Sequence, residues 1–172
     1  MNRIRRAIPW ALVTLSGLFA ILGLGDVLAG ITFEPTTALA ITGKTIDEIR
    51  AESAAGYAVI DYNYRGGGLT LSFFATLMTI VLAIPYRRAA WWSWWTAWLL
   101  PMWASAVFLL AVIHGTAPGQ PISAAAWSGI GFAILTATLL LVDLSRFRSE
   151  FSPLTASSGT GTFVGAGDGV EG

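Results

Sequence analysis

The chain of 172 residues is 55% apolar and only 12% charged, whereas an ordinary soluble domain carries about 25% charged residues. Ten Lys plus Arg balance ten Asp plus Glu, so charge points to no nucleic-acid or acidic partner. With no cysteine and a single histidine, the chain has no disulfide, no thiolate metal site, no Cys nucleophile and no His-pair site of its own.

A bilayer core needs about 20 apolar residues per helix, and four stretches meet that length: about 8–31, 66–85, 89–113 and 122–144. In lipid each backbone polar group must be bonded within its own segment, which predicts four helices. The first stretch has a second reading as a cleaved signal peptide. Arg3, Arg5 and Arg6 form a basic start, and Val27-Leu28-Ala29 looks like a cleavage site. Its apolar run exceeds the usual signal length, which favours a retained helix.

Basic residues in the short flanks set the orientation. Arg3, Arg5, Arg6, Arg87, Arg88, Arg146 and Arg148 fall on one side, against Lys44, Arg50 and Arg65 on the other. The first side is expected to be cytoplasmic, with both termini there, in the cell membrane. Trp10, Tyr86, Trp91, Trp92, Trp94 and Trp95 lie near that inner boundary, and Tyr57, Tyr62, Tyr64 and Trp127 near the outer one. Amphipathic rings favour headgroup depth, so these residues are read first as interfacial anchors.

The outer loop 32–65 is too long for a plain turn. Thr45-Ile46-Asp47-Glu48 matches a capping box and predicts a short extracytoplasmic helix from Ile46 to about Ala55, with Ile46 and Ile49 on one side. The short turn at Pro85-Tyr86-Arg87-Arg88 and the Gly/Pro turn 115–121 make successive helices antiparallel neighbours. Pro101 should kink the third helix and free the carbonyl near Ala97. The predicted fold is all-α: an antiparallel four-transmembrane-helix bundle over 1–150. Residues 151–172, rich in Gly, Ser and Thr, are expected to be a disordered cytoplasmic tail.

Small residues suggest where helices touch. Gly17, Gly25 and Ala29 form one ridge of the first helix, Ala75, Thr79 and Ala83 one of the second, and Ala125, Gly129, Ala133 and Ala137 one of the fourth. Charges within hydrocarbon are costly and draw attention as candidate sites. Asp26 lies in the first apolar run, roughly 8 Å below its outer end at helical rise. Arg65 opens the second helix at that level and His114 closes the third. Asp26, Arg65 and His114 are therefore candidate ligand-binding residues under the outer loop. A bundle-locking Asp26–Arg65 pair, or Asp26 reaching the interface alone, is the simpler alternative. Asp143 ends the fourth helix at the inner surface, where it can meet Arg146 or water. No zincin, nucleophile-elbow or phosphate-loop motif is present, so no catalytic or metal residue is assigned and no cofactor is expected.

The Arg65-Gly66-Gly67 start of helix two, the Tyr86-Arg87-Arg88 turn and the run Trp94-Trp95-Thr96-Ala97-Trp98-Leu99-Leu100-Pro101 give the chain a layout that resembles the small prokaryotic four-helix membrane proteins of DoxX-like type, over about residues 10–145. That resemblance implies a four-helix membrane fold. In a minority of members it implies respiratory quinol chemistry or an accessory role beside redox proteins. No catalytic residue carries over. Two functions stand: a non-enzymatic structural or accessory membrane component first, and a small-solute or proton transporter with an outward-facing polar pocket second. The implied partners are the lipid bilayer and either a second copy of the chain or another membrane protein.

Overall fold

The computed structural model describes residues 2–148; the predicted tail at 151–172 lies outside the described residues. Helix α1 (Asn2–Ala29) ends in a 3-10 turn (Gly30–Phe33), followed by two short helices, α2 (Pro35–Thr42) and α3 (Ile46–Glu52). Helix α4 (Ala54–Val81) runs into a π-helical turn (Leu82–Tyr86). The chain then forms α5 (Trp91–Ala97), α6 (Leu99–His114) and α7 (Ala124–Arg148). Four spans are long and apolar enough to cross a bilayer: Arg6–Phe33, Ala54–Tyr86, Trp91–His114 and Ala124–Phe147. Each span also carries large apolar side chains facing outward. Ile21 is 66% exposed, Phe73 70%, Leu110 61% and Ile134 63%. Such a surface suits hydrocarbon rather than water. The described residues form an all-α membrane fold, as the sequence predicts, with no strand among them.

Several boundaries follow from local chemistry. The capping box forms: Thr45 Oγ1 accepts from the Glu48 N–H at 3.3 Å, and Glu48 accepts from the Thr45 N–H at 2.7 Å. Helix α3 then stops at Glu52, short of the predicted Ala55. Ser53 turns extended (φ −153°), and its hydroxyl caps α4 by accepting from the Gly56 N–H at 2.9 Å. The second span therefore begins near residue 54 instead of 66. Sequence reasoning also missed α2, whose signals are Pro35 at its start and Gly43 in the left-handed region (φ 71°) after its end. The third span breaks at Trp98, three residues before Pro101, where the ring cannot donate to Ala97.

The Thr45 hydrogen bonds hold the Glu48 carboxyl below its ordinary value. A depressed carboxylate contributes its stability above the unfolded pKa and loses it as pH falls through the folded one. Hydrogen-exchange protection of the α3 amides should therefore be full at neutral pH and fall on acidification below about 4.5. Thr45→Ala should remove that pH step. A step that survives Thr45→Ala would assign it to another group.

Helix α1 packs along α4, and α6 along α7. The α1/α4 contact is close because small residues line it. Ser16 Oγ donates to the Ala75 carbonyl at 2.9 Å, and Ser72 Oγ donates to the Ala20 carbonyl at 3.2 Å. Gly23 lies against Gly68 and Ser72: a Cβ built at Gly23 would stand 2.7 Å from the Gly68 carbonyl oxygen. The ridge used is thus Ser16, Ala20 and Gly23, not the expected Gly17, Gly25 and Ala29; Gly17 has open space where a Cβ would be. Of the three glycines at 66–68, only Gly68 is pressed by a neighbour.

The main core occupies the half of the bundle nearest Arg87 and Arg88, here termed the basic end. Leu12, Met78, Leu82, Tyr86, Leu140 and Phe147 are buried there. Tyr86 and Trp94, expected at the interface, belong to this core. Trp94 Nε1–H donates to the Leu140 carbonyl at 3.2 Å, while Trp10, Trp92 and Trp95 stay more than half exposed. Asp143, expected at the surface, is fully buried because α7 continues past it to Arg148. It accepts from the Tyr86 hydroxyl at 3.0 Å and lies 3.7 Å from Arg146, which also reaches the Arg87 carbonyl.

Candidate functional site

At the opposite end, the 3-10 turn, α2 and α3 form a roof. Ile31, Ala38 and Ile49 are its small core, packed with Ile46, Tyr57, Ile60 and Tyr64. The roof is fastened to α1 and α4 by Arg65. Its Nη1 donates to the Val27 and Leu28 carbonyls at 2.7 and 2.9 Å, and its Nε donates to Asp61 at 2.8 Å. Asp61 in turn accepts from the Ile31 N–H at 3.1 Å. These bonds satisfy carbonyls that the end of α1 would otherwise leave unpaired. Gly30 (φ 61°) is required here, since a side chain would run into Asp61. The roof is tied to the α6/α7 pair by the Ala117 N–H, which donates to the Ala40 carbonyl at 2.7 Å.

Beneath this roof, among α1, α4, α6 and α7, is a cavity of about 280 Å³, near the lower end of the range that small-ligand pockets occupy, about 300 Å³. Its floor is aromatic. Phe19 packs on Phe132 with ring centroids 4.1 Å apart, joining α1 to α7. Trp103 packs on Phe74 at 5.6 Å, joining α6 to α4. Ala125, Ala126, Ser128 and Gly129 of α7 form a low wall, and Val107, Phe108 and Ala111 of α6 an apolar one. The polar groups gather near the roof: Asp26, Glu34, Thr37 and Tyr64, with Ser123 at the start of α7.

Asp26 sits on α1 opposite Gly68, where the missing side chain on α4 makes room for it. Its Oδ1 is buried and has no hydrogen-bond partner among the described residues. A buried carboxylate oxygen left unbonded is costly, so it marks a place where something else can bind. Glu34 accepts from the Thr37 hydroxyl at 3.2 Å. Among the described residues, no Arg, Lys or His lines the cavity.

The three residues singled out from the sequence are thus separated in role. Asp26 lines the cavity. Arg65 pairs with Asp61 and holds the roof. His114 is exposed in the last turn of α6, away from the cavity lining. Glu34 and Tyr64 are the cavity groups that sequence reasoning did not select: Glu34 reaches the cavity through the turn into α2, and Tyr64 through the packing of α4 along α1. The i,i+4 spacing of Asp61 and Arg65 was the available signal for the actual ion pair. Ser123 serves as a cap, accepting from the Ala126 N–H at 3.3 Å. Among the described residues, no group of three His, Cys, Asp or Glu is arranged to hold a metal.

The chain is a small four-span membrane protein. No family model, curated protein or solved structure matches it.

Proposed function

We propose that this protein is a non-enzymatic membrane component that holds a small ligand in the roofed cavity. The carrying observation is the asymmetry of the bundle. One half encloses a cavity with an unbonded carboxylate oxygen, while the other half is filled by Leu12, Met78, Leu82, Tyr86, Leu140 and Phe147. A pocket confined to one end of the bundle suits binding, sensing or presentation of a ligand to a partner. Transport of a solute or proton, the second function considered from sequence, would require a polar path through that packed half. The basic flanks support placing the roof away from the cytoplasm, and the close α1/α4 packing supports a retained first helix. The DoxX-like layout adds support for an accessory role, and no residue role is taken from it.

The test uses the full chain in lipid nanodiscs with benzyl alcohol as a small aromatic probe, corrected against empty nanodiscs. Gly129 lines the cavity and has open space where a side chain would start. The expected result is saturable binding that Gly129→Phe abolishes while the variant remains folded. Binding unaffected by Gly129→Phe, or no saturable binding at all, overturns the proposal.

A further inference from the structure

The cavity also specifies the charge of its occupant. Its polar end is lined by two acidic side chains, Asp26 and Glu34, and no basic side chain stands among its described lining residues. Arg65, which binds the Val27 and Leu28 carbonyls just after Asp26, is committed to those carbonyls and to Asp61. Neither acid therefore has a cationic partner among the described lining residues, in a site of low polarity where a charge needs one. The floor of the same cavity carries Phe19 and Trp103, and Phe108 stands on its α6 wall. Aromatic faces attract cations as well as apolar bodies.

Size and ligand count exclude the simplest cations as the fitting occupant. A metal ion needs several oxygen or nitrogen ligands converging at about 2–2.6 Å, and the described residues offer no such group. A proton would leave the rest of a cavity of about 280 Å³ unfilled. The complementary molecule has a cationic head for the Asp26 end and an apolar or aromatic body for the Phe19/Trp103 floor. We infer that the roofed cavity binds an amphipathic organic cation, a quaternary or protonated amine carrying a compact apolar group. This inference rests on the pocket proposed above and assigns its ligand class.

The experiment compares benzyltrimethylammonium with benzyl alcohol and phenylacetate, three probes sharing one aromatic ring and differing in charge, on the full chain in nanodiscs of uncharged lipid. The cation is expected to bind about tenfold or more tighter than benzyl alcohol, and phenylacetate weakest. Asp26→Asn should erase the advantage of the cation over benzyl alcohol, with an unchanged helical circular-dichroism spectrum and thermal unfolding midpoint showing that the variant is folded. Glu34→Gln should reduce the advantage by a smaller factor, because Thr37 already bonds that carboxylate. If benzyl alcohol binds and Gly129→Phe abolishes it, but the cation gains nothing or Asp26→Asn leaves its affinity unchanged, the pocket stands and the cation inference falls. If no probe is displaced by Gly129→Phe, the pocket itself falls and the inference with it.

Discussion

Gly23→Ala and Gly68→Ala are each expected to destabilise the protein by about 1–3 kcal/mol, whereas Gly66→Ala and Gly67→Ala should be neutral or stabilising by up to about 1 kcal/mol. The contrast comes from what a methyl group would meet. At Gly23 it would stand 2.6 Å from Ser72 Oγ and 2.9 Å from the Ser72 backbone nitrogen. At Gly68 it would stand 2.7 Å from the Gly23 carbonyl oxygen and would overlap Asp26. Backbone atoms cannot step aside without separating the two helices, and the Ser16 and Ser72 bonds across the same contact would lengthen with them. At Gly66 and Gly67 there is open space, so only the gain in helix propensity remains. Reversible unfolding in mixed micelles measures all four. Equal losses at Gly66 and Gly68 would show that the glycines act through backbone flexibility instead of helix contact.

The second large effect lies at the basic end. Tyr86→Phe should cost about 1.5–3 kcal/mol, the range for a hydrogen bond to a charged group. The hydroxyl is the donor to a fully buried Asp143, and the substitution removes it without changing the shape of the ring. Asp143→Leu removes the buried charge itself but leaves the Tyr86 hydroxyl without its acceptor and Arg146 without its carboxylate, so it is destabilising on its own. In the Asp143→Leu background, the cost of Tyr86→Phe should shrink by about 0.5 kcal/mol or more, the coupling expected of residues in one network. Strict additivity of the two changes would mean that the Tyr86–Asp143 bond contributes nothing to stability.

Sequence reasoning read the span count, the Thr45–Glu48 cap and the break before Pro101 from local chemistry, which one chain segment dictates by itself. Helix faces were harder to read. In a soluble helix the apolar stripe marks the buried side, but a membrane helix is apolar all round and the stripe is lost. Small residues are then the remaining guide, and α1 carries them on more than one face. Ser16, Ala20 and Gly23 were as eligible as Gly17 and Gly25, and nothing local to α1 distinguishes them. The partner ridge on α4 decides, through Gly68, Ser72 and Ala75. The candidate site was legible in part for the same reason. Asp26 stands out as a carboxylate in an apolar run, whereas Glu34 joins it at the cavity only through the turn into α2, and Tyr64 only once α4 packs along α1. Arg65 shared the depth of Asp26 but had a nearer acid one helical turn away in Asp61.

The Ala117–Ala40 bond bears on how the molecule deforms. The two helix pairs are gripped firmly at the basic end, through Tyr86, Asp143 and the buried core. Across the roof they are joined by a backbone bond of 2.7 Å from a loop to a short helix. Compliance is therefore distributed unequally along the bundle axis, as in a pair of tweezers fixed at one end. If the cavity holds a ligand as proposed, substitutions in the Gly43 or Ala117 loops, which weaken this latch, are expected to alter its exchange rate without touching any group that lines the cavity.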